Sequence, residues 1–89
     1  MTLAEGGLPM NRVELSQRLV AEGIRADAYS LDGGDLSERL VLEDARRSWN
    51  VYYSERGQRT GERHFDSEEA ACNYFLRTIL ASPEYRSDR

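Results

Sequence analysis

Apolar and polar positions change period three times along this chain, and each change marks an element. From Asn11 the spacing is helical: Asn11 can cap, Glu14 follows three residues on, Val13 is a candidate partner, and Leu15, Leu19 and Val20 recur on a 3.6-residue period. Gly23 ends this helix, predicted over 11–22, because glycine accepts the left-handed conformation, and Ile24 can fold back onto it. Asp27 to Leu31 is a connector anchored by Tyr29 and Leu31, and Asp32-Gly33-Gly34-Asp35 is a turn signal. The period then becomes two. Arg39 to Glu43 reads as a strand and Asp44 to Arg47 as a hairpin loop. In Ser48 to Glu55, Trp49, Val51 and Tyr53 alternate with Ser48, Asn50, Tyr52 and Ser54. The polar run Arg56 to Gly61 predicts a turn, and Glu62 to Phe65 a third strand. The helical period returns after Asp66 and Ser67, which offer caps. Glu68 and Glu69 suit the positive helix end, and Ala71, Cys72, Phe75, Leu76, Ile79 and Leu80 mark one apolar face. Pro83 stops this second helix.

The order α-β-β-β-α predicts an α+β fold: a three-stranded antiparallel meander with two helices packed on one face. Residues 1–10 form a flexible leader, 11–82 a single domain and 83–89 a flexible tail; helix signals begin just after Met10, a candidate initiator. The expected core is Leu15, Leu19, Leu40, Leu42, Trp49, Val51, Tyr53, Phe65, Phe75, Leu76 and Ile79. Trp49→Ala is expected to cost several kcal/mol, enough to unfold so small a domain. The opposite sheet face, carrying Tyr52, is expected to stay open.

Composition narrows the class. Only one core fits within 89 residues. No apolar run nears the ~18 residues of a membrane span, and no signal peptide opens the chain, so the cytoplasm is the expected location. Acidic residues number 16 and basic residues 12, all of them arginine, for a net charge of −4. That sign argues against general nucleic-acid binding, which neutralises phosphates, and permits a basic protein partner.

Candidate chemistry is sparse. Cys72 is the only cysteine, so no internal disulfide exists, and its apolar neighbours read it as a small core group. Asp32 and Asp35 lack the alternating ligands and terminal glutamate of a calcium loop. His64, the single histidine, reads as a surface residue. No catalytic set is present, so the chain is expected to be non-enzymatic, with no cofactor and no metal. What remains is a surface: Tyr52 on the open face, Arg56, Arg59 and Arg63 around the second hairpin, and the acidic Asp32, Asp35 and Glu38. Tyrosine and arginine are residue types that dominate interface energies. The plainer alternative is a solvated face whose arginines pair with Glu55 and Glu62.

Three families share parts of this pattern. Double-stranded RNA-binding domains have the same element order but a basic start to the last helix, where this chain has Ser67-Glu68-Glu69-Ala70-Ala71. Trp49, Val51, Gly57, Phe65, Glu69 and Ala70 resemble the outline of AP2-like, integrase arm-binding modules, which read DNA with a basic sheet face. Tyr29-Ser30-Leu31 with Gly33-Gly34, then Trp49 to Gly57, then Phe65 to Cys72, resemble small bacterial immunity proteins of polymorphic or contact-dependent toxin systems. That resemblance, spanning Asn11 to Leu80, implies a cytoplasmic, non-enzymatic inhibitor that binds a cognate toxin protein. The alternative is a DNA-binding accessory domain using Arg46, Arg47, Arg56, Arg59 and Arg63. Neither reading fixes the oligomeric state.

Overall fold

Asn11 caps the first helix as its position predicts. In the computed structural model, which describes residues 10–34 and 38–82, its Oδ1 accepts the Glu14 backbone N–H at 2.9 Å. Helix α1 then runs Arg12–Ala21. Gly23, at φ +77°, ends it with two crossing bonds: the Gly23 N–H donates to the Val20 carbonyl at 3.1 Å and the Ile24 N–H to the Leu19 carbonyl at 3.0 Å. Ile24 is buried, as the fold-back requires. The C-terminal helix, α2, spans Glu68–Leu80, with the Ser67 Oγ accepting the Ala70 N–H at 3.1 Å. Of the two cap candidates, Ser67 does the capping.

A 3₁₀ turn at Ala26–Ala28 leads into a two-residue strand, β1 (Tyr29–Ser30). Strands β2 (Arg39–Asp44), β3 (Trp49–Glu55) and β4 (Gln58–Phe65) follow, and the sheet order is β1-β2-β3-β4. The architecture is α+β as expected, but the sheet has four strands, not three, and is mixed rather than an antiparallel meander. β1 pairs parallel with β2, Tyr29 opposite Leu40 and Ser30 opposite Val41. Two residues are too few to show an alternating pattern. They also span only about 7 Å, so the chain can return to the start of β2 through the short connector 31–38.

The second hairpin differs too. Its turn is only Arg56 and Gly57, at φ +53° and +81°, the paired positive values of a two-residue type I′ turn. Gln58, Arg59 and Thr60, expected in the turn, already belong to β4. They are polar because β4 is the sheet edge and its flanks face water, not because the chain bends there.

One apolar cluster holds the layers together. Leu15 and Leu19 of α1, Leu40, Leu42 and Val51 of the sheet, and Ala71, Cys72, Phe75, Leu76 and Ile79 of α2 are all buried in it, with Ile24 and Ala28. Trp49, Tyr53 and Phe65, expected inside, are half-buried at its margin. The Arg12 guanidinium lies 5.4 Å from the Trp49 ring centroid. A half-buried indole makes Trp49→Ala a smaller loss than full burial implies. Met10, expected in the leader, is partly buried against the same cluster. The rest of the leader, the tail with its Pro83 stop, and Asp35 lie outside the described residues.

Candidate functional site

The strand alternation that sends Leu42 and Val51 to the helices sends Val41, Asn50, Tyr52 and Ser54 to the other face. That face is not open. Tyr52 is 1% exposed, and Val41, its partner across β2 and β3, is fully buried. The Tyr52 hydroxyl donates to the Gly34 carbonyl at 2.9 Å, and the Arg59 guanidinium carbon stands 4.1 Å from its ring centroid. The expected free Tyr52 surface is therefore an internal contact: the glycine-bearing connector and Arg59 meet this ring. Ser54, 1% exposed, has no hydrogen-bond partner for its hydroxyl among the described residues.

Arg59 reaches this position because of an irregularity in β4. Val51 pairs with Arg63 and Tyr53 with Thr60, so two β4 residues, Gly61 and Glu62, oppose Tyr52 alone. This β-bulge, with Gly61 at φ +61°, reverses the alternation. Arg59 and Glu62, three apart, thereby share a face that a regular strand would deny them. Arg59 then donates to both Glu43 carboxylate oxygens at 3.1 Å and to Glu62 Oε2 at 3.3 Å. Asn50 extends the network: its Nδ2 donates to Glu43 Oε1 at 3.0 Å, and its Oδ1 accepts from Ser48 Oγ at 3.1 Å. His64 Nδ1 lies 2.7 Å from that same Oδ1. Because Oδ1 can only accept, Nδ1 carries the hydrogen. His64 Nε2 is 3.9 Å from Glu62 Oε2.

The fork of Arg59, then the Asn50 amide, hold the Glu43 carboxyl below the ordinary carboxylate range, and the same hydrogen bond raises the Arg59 pKa. Burial pushes the Cys72 thiol up to about 11, consistent with an inert core group. The network thus spends its polar groups on one another and closes the second face.

The other expected partner-binding residues do not join Tyr52 and Arg59. Arg63 points to the helix side, 5.5 Å from the Tyr74 ring. Arg56 is an exposed corner of the turn. Asp32 is exposed and sits 3.6 Å from Arg12 Nη1. Glu38, at φ +60°, donates its N–H to the Ser54 carbonyl at 2.6 Å. Asp35 lies outside the described residues. Among the described residues, no group of three His, Cys, Asp or Glu side chains is placed to hold a metal ion. No described helix is long and apolar enough to cross a membrane.

A different surface emerges where the two helices begin. Glu68, in the first turn of α2, accepts the Arg12 backbone N–H at 2.9 Å, so one carboxylate caps the other helix across 56 residues of chain. Beside it lies a cleft of about 680 Å³ lined by Met10, Asn11, Val13, Glu14, Ser67, Glu68 and Glu69. A second, shallower cleft, lined by Arg12, Val13, Ser16, Gln17, Leu31 and Asp32, shares Val13 with the first. Val13 and Val20, two turns apart on one stripe of α1, are 65% and 69% exposed. Sequence reasoning did not single out this surface. Val20, expected on the apolar period with Leu15 and Leu19, stands instead with Val13 on the outer stripe, about 100° around the helix from Leu19.

No protein-family model, curated protein or solved structure matches the chain.

Proposed function

We propose that this chain is a non-enzymatic, cytoplasmic protein-binding module, an immunity-type inhibitor that neutralises a bacterial toxin by direct contact. The observation that carries the reading is the outer stripe of α1. Val13 and Val20 present large apolar side chains to water while the clefts on either side of Val13 supply relief for a partner to fill. Apolar side chains set in concave surface are the kind of anchor on which tight protein complexes depend. A net charge of −4 favours fast association with a basic toxin such as a nuclease.

The rival reading, a DNA-binding accessory domain, finds less support. Its arginines are divided between opposite faces: Arg59 is matched by Glu43 and Glu62, and Arg63 lies beside Tyr74 on the helix side. Co-expression with the products of neighbouring genes tests the proposal. A stable complex together with rescue of a poisoned host is expected; neither complex nor rescue overturns it. Salt-sensitive retention on duplex DNA at low ionic strength would favour the rival instead.

A further inference from the structure

We infer that the cleft between the N-terminal ends of α1 and α2 receives an extended segment of a partner protein in which an arginine or lysine adjoins an aliphatic residue. The inference rests on the protein-binding role and names the partner's chemistry. The apolar half of the argument is Met10 and Val13, which line the cleft, Val13 being largely exposed. The charged half is Glu14, Glu68 and Glu69. Glu68 is occupied by Arg12, but Glu14 and Glu69 have no cationic partner among the described residues.

Two helix N-termini would ordinarily draw an anion. Here three of those donors are already used: Asn11 takes the Glu14 N–H, Ser67 takes the Ala70 N–H and Glu68 takes the Arg12 N–H. Each helix end carries about half a positive charge. With three carboxylates and one guanidinium alongside, the cleft keeps a net charge of about −1. A cation therefore gains there and an anion does not. The volume, about 680 Å³, is in the range of sites that enclose small ligands or a few side chains.

The test uses the full chain and two synthetic peptides, acetyl-Gly-Leu-Arg-Ile-Arg-Gly-amide and its counterpart with glutamate in place of both arginines. Backbone amide shifts are followed by NMR during titration. The arginine peptide is expected to move the amides of Asn11, Val13, Glu14 and Ser67 to Glu69, and the glutamate peptide to leave them unmoved. Glu14→Gln combined with Glu69→Gln should weaken binding roughly tenfold through the loss of two exposed ion pairs, and Val13→Ser should weaken it further. Both variants change exposed positions, and their unperturbed remaining spectra establish that they fold.

Equal response to both peptides overturns the inference, as do shifts centred elsewhere. It also fails if the same amides move on dilution of the protein alone, which assigns the cleft to a second copy. Peptide binding that appears only after removal of residues 1–9 assigns it to the chain's own segment and is equally fatal. A chain that rescues the host yet ignores the arginine peptide refutes the cleft and leaves the inhibitory role intact. Peptide binding without rescue refutes the role alone.

Discussion

Leu42 and Val51 bury one side of the β2–β3 pair in a cluster with Phe75 and Ile79, whereas Val41 and Tyr52, their neighbours along the same strands, bury the other side without a helix. The first side is closed by aliphatic and aromatic packing. The second is closed by a phenol anchored to Gly34, a guanidinium laid over its ring, and a carboxylate fixed by that guanidinium and an amide. The two closures respond to different perturbations. Packing tolerates pH and salt but not lost volume; the polar closure tolerates small volume changes but depends on ionisation and on strand geometry.

Four measurements can break or sharpen this contrast. The largest effect belongs to the helix side: Phe75→Ala, at a position with no exposure, should cost about 3–5 kcal/mol in urea unfolding. That approaches the whole stability of a domain this size. A loss below about 1 kcal/mol would show that this side is loosely packed. Next is Gly61→Ala. A methyl group there meets no atom within 4 Å, so the cost is conformational, about 1–2 kcal/mol for the left-handed backbone. A neutral result would mean that the bulge is not required to bring Arg59 and Glu62 together.

Tyr52→Phe should cost about 0.5–1.5 kcal/mol through the lost bond to Gly34. The low end is expected, because Gly34 is exposed and its carbonyl can turn to water. The smallest effect is in pH. The Glu43 carboxyl titrates lower in the folded chain than its ordinary value of 4.5. Its contribution is therefore fully present above about pH 4.5 and lost as the pH falls through the folded value. The stability gap between wild type and Glu43→Gln, read from urea midpoints, should be widest at neutral pH and shrink at pH 3. A gap that is constant with pH would remove Glu43 from the electrostatic account.

Local signals predicted both helices well because each boundary is set by a few adjacent residues: Asn11 with Glu14, Gly23 with Ile24, Ser67 with Ala70. The alternation around Val51 likewise placed Leu40 and Leu42 on the helix face. What the pattern hid depends on pairing between distant segments. Tyr29 and Ser30 become a strand only because Leu40 and Val41 lie beside them. Gln58 to Thr60 read as a turn because an edge strand and a loop are polar for the same reason, contact with water. Residue type alone marks the expected partner-binding residues, and the bulge at Gly61 and Glu62 puts two of them, Arg59 and Arg63, on opposite faces. Tyr52 was the clearest case: polar neighbours in sequence marked it as exposed, yet the connector bearing Gly34 returns to meet its hydroxyl.

The bond from the Arg12 amide to Glu68 ties the order of synthesis to the order of folding. A ten-residue helix such as α1 is marginal alone in water. Its first amide waits for a carboxylate that the ribosome adds 56 positions later. Until α2 has emerged, Leu15 and Leu19 have no completed layer to enter, so α1 gains lasting order only once Glu68–Leu80 has been made. The first helix of this fold is thus secured only by the last of its described elements.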